Sequence, residues 1–132
     1  FLLLNYKRIN DAKGENTYWD FPKGHVEKDE TEVHTLLREI EEEAGLTDIK
    51  VVEGFRETIK YFFNLKGTLI NKEAVFFLCE TKTKEVTISK EHIGFEWLEY
   101  KEAEARLDFK NSKKVLTKAN EFMAHRKKLT DW

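Results

Sequence analysis

Residues 29–46, DETEVHTLLREIEEEAGL, constrain this chain more tightly than any other stretch. Apolar residues at Val33, Leu36, Leu37, Ile40 and Ala44 recur with the 3.6-residue period of a helix that buries one face. Asp29, with Glu32 three positions on, makes an acidic variant of the capping box. Gly45 suits a left-handed stop, and Leu46 can fold back on Ile40 or the stem of Glu41. The pattern predicts a helix from about Glu30 to Ala44, with ends good to roughly 2–4 residues.

That helix carries an unusual load. Glu39, Glu42 and Glu43 stand at i, i+3 and i+4, so all three point to one side, beside the apolar face. They occupy the last two turns, where the helix dipole disfavours an anion by roughly 0.3–1 kcal/mol. Like charges four apart add roughly 0.2–0.5 kcal/mol. A bound divalent cation would reverse both costs, and clustered carboxylate oxygens suit a hard ion such as Mg²⁺ or Mn²⁺. An ordinary solvated acidic face is the competing reading, and spacing alone leaves both open.

The rest of the composition sets the frame. A length of 132 residues falls within the usual range of one domain, so one core is the default. The 23 basic and 25 acidic residues are interspersed, which argues against a nucleic-acid-coating surface or a polybasic membrane anchor. Cys79 lies in the apolar run AVFFLCE and reads as a buried, inert thiol; a lone cysteine allows no disulfide within the chain. No apolar stretch approaches a membrane span, and no signal sequence is visible, so the expected compartment is the cytoplasm.

Phe1 to Asn5 reads as a buried strand, and the chain opens inside it without an initiator methionine. Residues 11–16 (DAKGEN) carry turn chemistry, and Pro22 holds Phe21 out of helical space in WDFPKG. Strands are expected at Ile49–Val52, Phe55–Phe63, Glu73–Thr81 and Phe95–Leu98, with an acidic loop around Glu91. Helices are expected near Lys101–Leu107 and over Ser112–Lys128. On the latter, Val115, Leu116, Ala119, Phe122, Met123 and Arg126 trace one face, and its lysines read as a solvated face.

Between Gly24 and Leu46 the residues also spell a known pattern. Gly24, five residues, Glu30, seven residues, then Arg38-Glu39-Ile40-Glu41-Glu42-Glu43-Ala44-Gly45-Leu46 resembles the Nudix box, G-x5-E-x7-R-E-U-x-E-E-x-G-U, in full. The resemblance implies an α+β fold, an α/β/α sandwich with a mixed β-sheet between helices, spanning residues 1–132 as one domain. Its first strand, which would precede FLLL, is expected to be missing from this sequence. It implies that Glu39, Glu42 and Glu43 hold Mg²⁺, with Mn²⁺ as a substitute, near the Lys23 carbonyl. Arg38 would orient the carboxylates by a salt bridge, Glu30 would fix the loop against the helix, and Gly24 would permit a tight loop. An ordinary ion pair between Glu30 and Arg38 is compatible with that role. Glu91, six residues before Trp97, matches the spacing of the family's loop glutamate and is a candidate ligand or general base; a solvated loop acid is its alternative. His92 beside it could contact phosphate.

Outside the box, the chain resembles the asymmetric diadenosine tetraphosphate hydrolase branch of the family. Trp19-Asp20-Phe21-Pro22-Lys23-Gly24-His25-Val26-Glu27 is similar to its W-x-(F/P)-P-K-G-H-V-E segment, and Tyr61 follows Gly45 by 16 residues, where that branch tends to have a tyrosine. The runs from Lys72 to Phe77 and from Ser89 to Leu98 resemble later family segments. The implied substrate is a nucleotide polyphosphate. Lys23, Lys72 and the metals would meet its phosphates, and Tyr61 and Phe76 would offer stacking worth roughly 1–3 kcal/mol per base. His25 and Trp19 complete the candidate substrate contacts. Phe76 reads equally as a buried strand residue, and Trp19 equally as loop packing. Two other functions compete: hydrolysis at RNA 5′ ends, which the Phe-Pro-Lys-Gly segment also resembles, and nucleotide sensing without catalysis. Neither a membrane nor a stable nucleic-acid complex is expected.

Overall fold

A computed structural model describes residues 1–7, 16–23 and 29–130, with side chains to residue 127. Residues 11–15 of the expected turn at 11–16 and two candidate site residues, Gly24 and His25, lie outside the described residues. Strand β1 (Leu2–Lys7) forms the centre of a three-stranded antiparallel sheet, with β2 (Thr17–Asp20) on one edge and β5 (His92–Trp97) on the other. Strands β3 (Lys50–Leu65) and β4 (Thr68–Glu80) pair antiparallel as a long hairpin. Helix α1 (Glu32–Ala44) precedes the hairpin, and α2 (Tyr100–Arg106) and α3 (Lys110–Thr130) follow β5.

Alternation along β1 explains the layers. Leu3 turns one way, into a cluster with Ala103, Leu107 and Leu116 from the last two helices. Leu2 turns the other way, towards Ile40, Ala44 and Leu46 around α1. Helices therefore cover both faces of the sheet, the α+β sandwich expected. All strand pairs among the described residues are antiparallel. A third cluster, Phe55, Val115 and Ala119, seats the base of the hairpin on α3.

The helix ends where its glycine said it would. Gly45 adopts φ +68, and its N–H donates to Glu41 O. The start differs: Thr31, not Asp29, is the cap, its hydroxyl accepting from His34 N at 3.1 Å. Asp29 instead takes a left-handed φ of +66 in the preceding turn. The buried face is rotated as well. Val33 and Leu37 are exposed, while Thr35, Ile40, Glu43 and Ala44 are covered. Thr35 can occupy that face because Glu30 accepts its hydroxyl at 3.1 Å.

The strands at 49–52 and 55–63 fuse into the single β3, with the register shifting between Val51 and Arg56 and Gly54 at φ +98 in the irregular stretch. On α3 the apolar face holds at Val115, Leu116 and Ala119, but Met123 and Arg126 are exposed. Cys79 is partly buried beside the α1 cluster, and burial pushes its thiol up to about 11, as an inert residue requires.

Candidate active site

Glu43 is where the sequence pattern and the fold meet. The rotation of α1 puts this carboxylate against the sheet, 7% exposed. Its Oε2 accepts the Lys23 backbone N–H at 2.9 Å and the Tyr6 hydroxyl at 3.4 Å. Tyr6 projects from β1, and its one hydroxyl hydrogen is shared between Glu43 and the closer acceptor, Phe21 O at 2.9 Å. Removal from water raises the Glu43 pKa to about 7; the Lys23 N–H and the Tyr6 hydroxyl oppose the rise, and the charges of Glu39 and Glu91 add to it. Burial and the nearby Glu43 push the Tyr6 phenol far up, which keeps it a donor.

Arg38 organises the other acids of the helix. Its guanidinium grips Glu30 at 2.7 and 3.0 Å, a two-point bond of the kind arginine geometry favours. The same group reaches Glu39 at 2.9 Å and Glu42 at 3.2 Å. Glu30 thus ties the segment before the helix to its middle, as the box implies. Glu42 is exposed, whereas Glu39 is largely covered.

On the sheet side, Tyr6 and Tyr18 stack at 5.1 Å, and the Lys23 ammonium sits 4.9 and 4.8 Å from their ring centres. Lys23 also pairs with Asp20 at 3.6 Å. Asp20 is buried and accepts the Ser112 hydroxyl of α3 at 2.8 Å. Phe109 meets the Tyr18 ring edge at 5.4 Å. The sequence reading missed Tyr6, Tyr18 and Asp20. Their signal was period-2 alternation, since β1–β2 pairing puts Tyr6 opposite Tyr18 and Leu4 opposite Asp20.

The remaining candidates scatter. Trp19 points away from Tyr18 and Asp20 by strand alternation, packing on the α2–α3 cluster with the Arg106 guanidinium 4.9 Å from its ring. Its packing role is therefore the observed one. Phe76 packs on the Phe55 cluster and meets Phe21 edge-on at 6.3 Å, so its ring is core on one side and near the loop on the other. Tyr61 and Lys72 are cross-strand partners on the hairpin, with Phe63 stacked on Tyr61 at 6.2 Å and Lys72 over Phe63 at 5.6 Å. That cluster lies along the hairpin beyond the Phe55 cluster.

Carboxylates are the donors a hard divalent cation takes, and the charges of Glu39 and Glu91 both act on Glu43. Among the described residues no three His, Cys, Asp or Glu side chains converge to share one ion. The geometry gives the reason, because Arg38 draws Glu39 and Glu42 to itself. Glu43, Glu39 and Glu91 would hold the ion, with Arg38 yielding part of its grip.

An α/β/α sandwich whose acidic helix presents a buried glutamate to the Lys23 backbone N–H defines the class, and the chain belongs to the NUDIX domain family, whose model matches residues 1–119. Two relatives are similar to this chain over most of its length. The asymmetrical bis(5′-nucleosyl)-tetraphosphatase of Sus scrofa is 37% identical over 110 residues, covering 80% of this chain and 72% of that protein. The crystal structure of a C. elegans Ap4A hydrolase binary complex superposes with a TM-score of 0.76 at 30% identity, covering 95% of this chain and 86% of that one. A shorter match, 39% over 57 residues, joins 41% of this chain to 23% of the mRNA-decapping protein g5R of African swine fever virus.

Proposed function

We propose that this chain is a divalent-metal-dependent pyrophosphohydrolase that cleaves diadenosine tetraphosphate asymmetrically into ATP and AMP. The observation that carries the reading is Glu43: a covered carboxylate, held at one oxygen by Lys23 N and Tyr6, in a field of two further acids. The likeness to the pig enzyme and to the nematode hydrolase supports the substrate.

A bound Mg²⁺ would supply charge neutralisation on phosphate oxygens and a bound water of lowered pKa. The residues do the rest. Lys23, half-exposed at 48%, is held over two rings and beside Asp20, so its ammonium is presented to a phosphate chain with little remaining freedom. Glu43 Oε1 is the oxygen that the donors on Oε2 leave, and it lies 4.0 Å from His92 Nε2. Glu91, exposed on its loop, is a candidate base for the attacking water. Tyr61, 40% exposed, with Lys72 directly across the hairpin, offers a ring for adenine and a charge for the distal phosphate.

Hydrolysis at RNA 5′ ends is a second reading, favoured by the match to the viral decapping protein. A panel containing diadenosine tetraphosphate and 5′-triphosphorylated RNA, run with Mg²⁺ and resolved by chromatography, decides between them. The expected outcome is ATP and AMP from the dinucleotide at the higher kcat/KM. Faster release of pyrophosphate from RNA overturns the substrate assignment. Glu43→Gln should remove most turnover while leaving the circular dichroism spectrum intact; near-normal turnover would overturn metal-assisted catalysis at this helix.

A further inference from the structure

His92 has no exposed side-chain surface, and its two ring nitrogens are treated very differently. Nδ1 lies 2.7 Å from Ser89 Oγ. Nε2 is buried with no hydrogen-bond partner, 4.0 Å from Glu43 Oε1. The ring stands edge-on to Tyr6 at 4.4 Å, the same tyrosine that bonds the other Glu43 oxygen. A buried polar atom without a partner is rare in folded proteins and needs a reason.

The Ser89 hydroxyl accepts the Glu91 backbone N–H at 3.3 Å and still offers Nδ1 either its hydrogen or a second lone pair. The Glu43 carboxylate 4.0 Å from the partnerless Nε2 favours the ring hydrogen on that nitrogen. Nδ1 is then an acceptor, and the ring hydrogen resides on Nε2, directed at Glu43. The His92 backbone N–H closes the turn onto Ser89 O at 3.1 Å, fixing ring and hydroxyl together.

We propose that His92 is a positioning residue, held as the Nε2–H tautomer by Ser89, that donates to Glu43 Oε1 once that carboxylate turns to hold a divalent cation. The inference rests on the reading of Glu43 as a metal-holding group. Lys23 N on Oε2 and His92 beside Oε1 then act on the two oxygens of one carboxylate. Ser89, Glu91 and His92 lie in one turn, so a single ring sets the loop bearing Glu91 in register with the helix bearing Glu43. Outer hydrogen bonds of this kind typically govern metal affinity by about 10–100-fold.

Two measurements test it. Long-range ¹H–¹⁵N spectra of the labelled protein, with His92 assigned from the His92→Gln variant, should show the Nε2–H tautomer, and Ser89→Ala should admit the other. An Nδ1–H tautomer in the unaltered protein overturns the proposal. Calorimetric titration with Mn²⁺ alone then compares variants that differ in where they keep a donor. Gln places an amide near the Nε2 position and Asn near Nδ1. His92→Phe and His92→Asn should weaken Mn²⁺ by about 10-fold or more, and His92→Gln should stay nearer the unaltered protein. Equal affinities for Gln and Asn variants, both folded by circular dichroism, overturn the proposal. If Glu43→Gln binds Mn²⁺ as tightly as the unaltered protein, the metal reading itself fails; if it loses Mn²⁺ while His92→Phe does not, only the positioning role fails.

Discussion

Glu43 has a linkage consequence that can be measured without substrate. Its pKa stands at about 7 in the fold against 4.5 for the free side chain. Below pH 4.5 both folded and unfolded states carry the proton, and the group costs nothing. As pH rises to 7 the unfolded chain releases its proton first, so stability falls, by up to about 3 kcal/mol across that window. Glu43→Gln should therefore raise the melting temperature of the metal-free protein at pH 8 and leave it unchanged near pH 4.5. An equal effect at both values would refute the buried charge. The box pattern made Glu43 legible from sequence, but not its isolation from Glu42. That difference arises because α1 turns its covered face by Thr35 rather than Val33, a rotation that depends on Glu30 satisfying the Thr35 hydroxyl.

At the level of elements, the two ends of α1 separate what local sequence determines from what it does not. Gly45 stood out because a left-handed residue after an apolar run has few alternatives. The start offered two acceptors two residues apart, and Thr31 prevails while Asp29 turns left-handed. Thr31→Ala should cost about 1 kcal/mol in urea unfolding, whereas Asp29→Gly should cost nothing, since glycine accepts φ +66 more easily. An opposite ranking would return the cap to Asp29. The hairpin carries a functional prediction. Tyr61→Ala should raise KM for dinucleoside polyphosphates more than for inorganic polyphosphate, and equal losses on both would discard stacking. Alternation in β3 showed which residues share a face with Tyr61; it could not show how far along the ribbon the core reaches, because exposure there depends on α3.

Across the whole molecule, the clusters are unequally supported. The sheet and the last two helices bury Leu3, Leu107 and Leu116 almost completely. Between the hairpin, α1 and α3 lies a cavity of about 350 Å³ lined by residues such as Leu36, Ile40, Val75, Phe77 and Met123. Farther out, Phe62, Leu65 and Leu69 are 62%, 54% and 66% exposed. A two-stranded ribbon without a covering face is marginal in water. Amide exchange should thus be faster from Lys60 to Lys72 than in β1, by orders of magnitude at neutral pH. Uniform protection along the ribbon would mean that another surface covers it. The resemblance made the layered architecture legible. Where that core thins was not legible, since packing gaps arise between segments far apart in sequence.

Asp20 belongs to two neighbourhoods at once. One oxygen takes a hydrogen from Ser112 near the start of the last long helix, and the other faces the ammonium of Lys23. The seating of that helix and the aim of that ammonium are consequently one mechanical setting. Exchanging Ser112 for a residue without a hydroxyl would leave that buried oxygen only the Phe21 N–H, and the cation already beside the carboxylate is the one a phosphate chain would be asking for.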